Sequence, residues 1–82
     1  MSWYVYILRC ADDTLYTGIT TDVVRRLREH NEAKLGAKYT RARRPVVIVY
    51  KKRFGSRSTA AIREAALKKL SREEKLMLLA KP

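Results

Sequence analysis

Two tyrosine-bearing tripeptides, Tyr4-Val5-Tyr6 and Tyr16-Thr17-Gly18, are followed closely by Arg26 and His30. A phenol can orient water or, with its pKa lowered by nearby cations, act as a general base. A guanidinium offers a planar fork of donors that suits a phosphate and the charge of its transition state. An imidazole can hand a proton to a leaving oxygen near neutral pH. Each group also has a plain structural role open to it. Tyrosines favour strands, Arg26 can pair with Glu29 or Glu32, and His30 can cap or pack at a helix end. Gly18 is expected to close the second strand where the chain turns sharply into a helix.

A carboxylate far along the chain completes the set. From Ala33 through Arg72 the only acidic residue is Glu64, among many Lys and Arg. A lone acid in such a field either pairs with a neighbouring base or holds a cation the field would otherwise repel. On a helix Glu64 falls away from the centre of an Ile62–Ala66–Leu70 stripe. Mg²⁺ often takes one or two carboxylates, several waters and phosphate oxygens. The alternative partner is Lys68, one turn on. His30 is the only histidine and Cys10 the only cysteine, so a His- or Cys-based metal cluster is excluded. No serine or cysteine has a plausible base and orienter nearby. The set therefore fits metal-assisted phosphodiester hydrolysis, with one Mg²⁺ or Mn²⁺ at Glu64, better than acyl transfer.

The charge balance agrees. With 19 Lys+Arg against 8 Asp+Glu, the 82-residue chain carries a net charge of +11, which attracts a polyanion. The basic connector supplies candidate nucleic-acid contacts in Lys38, Tyr39, Arg41, Arg43 and Arg44. A content of 46% hydrophobic and 33% charged residues describes a globular chain. Its length predicts a single domain over residues 1–82. Cys10 cannot form an intramolecular disulfide and reads as a small buried residue ending a strand, which suits a reducing, cytoplasmic setting. No apolar run reaches the ~20 residues of a membrane span, so no membrane role is expected.

These groups need elements to position them. Trp3 to Arg9 reads as a well-buried strand and Thr14 to Gly18 as a second, joined by turn chemistry at Ala11-Asp12-Asp13. Thr20-Thr21-Asp22 offers caps for a helix to about Lys34, with Val23, Leu27 and Leu35 on its inner stripe and Arg26 and His30 along its edge. Gly36 ends that helix. A third strand is expected over Val46 to Lys51. Ser58 or Thr59 can cap a helix to about Leu70, and Ser71 with Glu74 forms a capping box for a last helix to about Ala80. The predicted class is α+β: a small three-stranded antiparallel sheet flanked by helices, in the order ββαβαα. Tyr6 and Tyr16 must both face the helix of Arg26. A two-residue Asp12-Asp13 turn would set them on opposite faces, so a longer or bulged turn is required.

At the level of motifs the chain resembles the GIY-YIG endonuclease superfamily, most closely its small stand-alone bacterial members. Tyr4-Val5-Tyr6 and Tyr16-Thr17-Gly18 match its two tripeptides, and the stretch from Gly18 to His30 matches the helix that follows. Arg63-Glu64 with Lys68 matches the metal-binding segment. Tyr4 stands where the first motif has glycine, and Thr17 where the second has an aliphatic residue. The resemblance implies a nuclease that cuts one strand through a single divalent metal. In it Tyr16 would activate water, Tyr6 assist, Arg26 stabilise the scissile phosphate and Glu64 hold the metal. His30 is a site residue in some members only, while Tyr39 and Arg41 resemble positions on the substrate face. The expected substrate is DNA in preference to RNA, in repair or recombination. Target choice is left to a partner protein or to DNA structure, and the chain itself is expected to be monomeric. The alternative is a non-catalytic nucleic-acid-binding module that keeps the fold.

Overall fold

The structure is a computed structural model that describes residues 1–32 and 38–80. Its order is β1 (Trp3–Arg9), β2 (Leu15–Thr20), α1 (Val23–Glu32), α2 (Lys38–Arg41), β3 (Val47–Phe54), α3 (Arg57–Lys68) and α4 (Arg72–Ala80). The three strands form one antiparallel sheet in the order β2-β1-β3. Apart from the single turn of α2, this is the predicted ββαβαα arrangement.

Alternation along β1 divides the molecule. Val5 and Ile7 point to one face, where they join Ala60 and Leu67 of α3, with Leu78 and Leu79 of α4 packed alongside. Tyr6 and Leu8 point to the other, with Cys10, Val46, Tyr16, Ile48 and Leu27 of α1. The central strand is thus buried on both sides, as its unbroken run of apolar residues predicts. A bulge in the β1–β3 ladder lies between Ile7, opposite Tyr50, and Leu8, opposite Ile48. The extra residue lets Val49 and Tyr50 both pack on the α3 side.

The hairpin meets the requirement set by the tyrosines. Arg9 pairs with Leu15, and Cys10 to Thr14 form the turn, with Asp13 at a φ of 66°. Leu8 therefore faces Tyr16 and Tyr6 faces Gly18, which puts both tyrosines on the α1 face.

Several local expectations need correction. The third strand starts at Val47 and runs to Phe54, beyond Lys51. The α3 cap is Ser56, whose hydroxyl accepts from the Thr59 amide, and not Ser58 or Thr59. Ile62 is 70% exposed, so the buried stripe of α3 is Ala60 and Leu67 and not Ile62–Ala66–Leu70. Cα rotation then puts Glu64, four residues after Ala60, on the inward side of the helix. The Asp22 side chain caps α1 by accepting from the Arg25 amide, and the Ser71–Glu74 capping box forms as predicted. The expected roles of Lys34, Leu35 and Gly36 fall outside the described residues.

Candidate active site

The site is built where α1 crosses the face of β1 and β2. Gly18 lies inside β2, with no positive φ, so it does not serve as the sharp turn expected of it. Its function is space. A Cβ at this position would lie 2.6 Å from Tyr6 Oη and 2.7 Å from Tyr6 Cζ. The hydroxyl end of the Tyr6 ring takes the place of the missing side chain and meets His30 of α1.

At the end of that ring the Tyr6 hydroxyl is 2.9 Å from His30 Nε2. The Arg26 guanidinium lies close enough for its charge to act on the Tyr6 phenol. His30 Nδ1 is 2.7 Å from Thr40 Oγ1, supplied by α2. Tyr6, His30 and Thr40 are all buried. His30 therefore sits inside the molecule and not along the edge of α1. A signal for this was present: His30 follows Val23 and Leu27 at helical spacing on the inner stripe.

Burial sets the protonation states. The Tyr6 phenol is pushed up to about 12, chiefly by burial, with Arg26 opposing and the charges of Tyr16 and Glu64 adding. His30 is held down at about 4 by burial and by the cationic Arg26 and Arg44, against the pull of Glu29. Both groups are neutral at pH 7. Burial works against the Arg26 charge, but Glu29 and Tyr6 outweigh that and raise its pKa. Arg26 Nη1 is 2.9 Å from Glu29 Oε1, so the expected ion pair does form, and it braces the guanidinium beside Tyr6.

Tyr16 stands at the outer side of this cluster, half-buried. Its ring centroid is 5.1 Å from that of His30, edge to face, and 6.4 Å from that of Tyr6. The Tyr39 ring stacks on Tyr16 at 5.9 Å, and the Arg43 guanidinium lies 4.0 Å above Tyr39. Arg43 is braced in turn by Asp12, 3.1 Å from its Nε. The basic connector is therefore ordered in layers upon Tyr16. Within it Lys38, Tyr39 and Arg41 are exposed. Arg44 instead donates to the main-chain carbonyls of His30 and Glu29, closing the end of α1.

Sequence reasoning also missed Asn31. Its side chain accepts from the Val46 amide at 2.8 Å and donates to the Val46 carbonyl at 3.0 Å, which pins the start of β3 to α1.

Glu64 lies on α3, which packs on β1 and β2 from the face opposite Tyr6. Its charge makes the smallest of the contributions that shift the Tyr6 phenol. Lys68 Nζ is 3.4 Å from its carboxylate, and the Glu64 side chain is 22% exposed. Among the described residues no three of His, Cys, Asp and Glu converge. The donor set fits a hard cation that takes one protein carboxylate and fills its shell from water and phosphate.

Comparison with known proteins shows the family and the fold. The GIY-YIG catalytic domain pattern matches residues 2–77. The chain belongs to the GIY-YIG family. A UPF0213 protein of Desulfotalea psychrophila is 54% identical over 78 residues, covering 95% of this chain and 71% of that one. A UPF0213 protein of Natronomonas pharaonis is 56% identical over 77 residues, with 94% and 89% covered. The solution structure of the UPF0213 protein of Bacillus halodurans matches 98% of this chain and 84% of its own, at 46% identity and a TM-score of 0.63. That of an E. faecalis protein matches 96% and 83%, at 44% identity and a TM-score of 0.66. GIY-YIG is a nuclease family, which implies a nucleic-acid substrate. No helix among the described residues is long and apolar enough to cross a membrane.

Proposed function

We propose that this chain is a metal-dependent DNA endonuclease, acting as a single domain over residues 1–82. The observation that carries the proposal is the Tyr6 hydroxyl, buried between the Arg26 guanidinium and a neutral imidazole. Keeping a phenol and an imidazole out of water is costly unless both are bonded. Here they sit beside a partly exposed cationic fork, braced by Glu29, which suits an anionic reacting group.

Roles follow from the protonation states. Tyr6 keeps its proton at neutral pH, so it orients Arg26 and does not act as the base. Tyr16, half-exposed at the outer side, is the phenol that meets water. As the phenolate it takes the water proton while the water oxygen bonds to phosphorus and the leaving oxygen departs to be protonated from solvent. Arg26 binds the scissile phosphate and offsets its growing charge. His30 holds Tyr6 in place. A divalent metal, Mg²⁺ or Mn²⁺, would be held by Glu64 and would neutralise charge on the phosphate oxygens. Glu64 must release Lys68 to do so, leaving the lysine free to meet the phosphate backbone. Lys38, Tyr39 and Arg41 carry the flanking strand, with Tyr39 offering a ring face to a base. Arg43 and Arg44 chiefly hold this surface in shape.

The test is cleavage of nicked, branched and duplex DNA, with matched RNA, in Mg²⁺ or Mn²⁺. Wild type should cut DNA, and Arg26→Ala should lose at least about a hundredfold in rate. Glu64→Gln should abolish the response to added metal. Equal background cleavage by wild type and Arg26→Ala removes the nuclease function. Salt-dependent binding without cleavage would instead make the chain a nucleic-acid-binding module.

A further inference from the structure

The buried chain of polar groups includes a residue with no assigned part in the chemistry. Thr40 is fully buried, 0% exposed, with Oγ1 2.7 Å from His30 Nδ1. The directions along the chain follow from the one member whose role is fixed, because a guanidinium only donates. The Arg26 cation acts on the Tyr6 oxygen and favours a lone pair on its own side, so the Tyr6 proton points to His30 Nε2, 2.9 Å away. A neutral imidazole that accepts at Nε2 carries its proton on Nδ1. That proton is donated to Thr40.

We propose that Thr40 is a positioning residue for the nuclease reaction, acting by fixing the tautomer of His30. The proposal rests on the function proposed above. With an acceptor at Nδ1, the ring keeps Nε2 open and draws the Tyr6 proton inward. The outer lone pair of Tyr6 then faces Arg26 and holds its fork. Without that acceptor the ring proton moves to Nε2 and donates to Tyr6. The Tyr6 proton must then turn outward, towards the side the Arg26 guanidinium occupies. Two donors would face each other and the fork would be displaced from the phosphate. The α2 turn is thus coupled to Arg26 through His30 and Tyr6, and both rings lie between them in a dry interior. The same turn carries Tyr39, which stacks on Tyr16. One short segment therefore sets the position of both tyrosines.

His30 is the only histidine, so its ring nitrogens give unambiguous ¹⁵N signals in the untagged, labelled chain. At pH 7 the wild-type ring should be protonated at Nδ1 and bare at Nε2. Thr40→Val should move the proton to Nε2 or mix the two forms, and Thr40→Ser should restore the wild-type pattern. In cleavage assays Thr40→Val should lower kcat by between about tenfold and about a hundredfold with KM little changed, since the loss is one of orientation. Thr40→Ser should recover most of that rate. If Thr40→Val does not fold, Thr40→Ala removes the hydroxyl without crowding and serves the same comparison. A wild-type ring protonated at Nε2 overturns the proposal. So does a folded Thr40→Val or Thr40→Ala variant whose tautomer is unchanged, or one whose tautomer changes while its rate does not. If wild type cuts no substrate, the nuclease function fails, and the positioning role for that reaction falls with it. The ring signals would still report whether Thr40 fixes the tautomer.

Discussion

The two faces of the sheet are built from alternate residues of the same strand, yet they are held by different physics. On the α3 and α4 side, Val5 and Ile7 meet Ala60 and Leu67 in a hydrocarbon cluster. On the α1 and α2 side, Tyr6 meets His30 and Thr40 through buried hydrogen bonds. The first face gains stability from area removed from water. The second spends stability to bury polar groups, and recovers it only while each bond is made. Shifted pKa values gather on the second face, as they do where environments are arranged for chemistry. The difference separates a face that holds the fold from a face the fold holds.

The largest expected effect tests the first face. Ile7 is fully buried against α3. Ile7→Ala should cost about 4 kcal/mol by loss of transfer energy and creation of a cavity. Urea denaturation reads this directly. Tyr6 ionisation should stay suppressed in whatever fraction remains folded, because Ile7 points away from it. A loss under about 1 kcal/mol would show that the hydrocarbon face is not the main support of the fold.

The second face should instead respond to pH. His30 has an ordinary pKa of 6.5 and one of about 4 when folded. The unfolded chain therefore takes up a proton first as pH falls, and stability declines with it. The contribution is complete above pH 6.5 and is lost as pH falls through about 4. The full loss is about 3 kcal/mol, an upper figure. Between about pH 6.5 and 5 ordinary carboxylates stay ionised in both states, so the early part of the decline belongs to His30. Denaturation at a series of pH values, beside the His30 ring signals, measures it. Flat stability down to pH 5 with a ring titrating at its ordinary value would mean that His30 is open to water.

The contrast between the faces also explains what sequence could reveal. Strand β1, the hairpin and the Ser71–Glu74 box follow from local pattern, and each is present. The spacing of Tyr6, Tyr16 and Arg26 identified the family. The interior of the polar face was harder to read, because its partners come from distant segments. Thr40 gives no sign within a basic run that it will meet His30, and Asn31 none that it will hold Val46. On α3, Ile62–Ala66–Leu70 and Ala60–Leu67 are both apolar series at helical spacing. Only packing on the sheet decides between them. Gly18 was read as a turn because glycine permits one, whereas the requirement came from a ring on the neighbouring strand.

That close approach supplies the smallest and most discriminating effect. At Gly18 a methyl group would come 2.6 Å from Tyr6 Oη and 2.7 Å from Cζ, so the ring must move. A free tyrosine could swing aside at little cost. This one is buried and bonded to His30, so movement breaks that bond. Gly18→Ala should therefore cost about 2 kcal/mol by overpacking. The backbone itself stays unstrained, since Gly18 does not use a positive φ. Stability alone would make this variant look like a milder Ile7→Ala. Its distinguishing signature is in the titrations. A displaced Tyr6 gains water, and its ionisation should fall from about 12 towards the ordinary 10, read by absorbance of the phenolate. His30 loses its Tyr6 partner and part of its burial, so its ring should titrate above about 4. If Gly18→Ala loses stability while both titrations stay in place, the ring has moved as one body with α1, and the polar face is as rigid as the hydrocarbon one. If both titrations shift together, the face is a network in which each bond depends on the next.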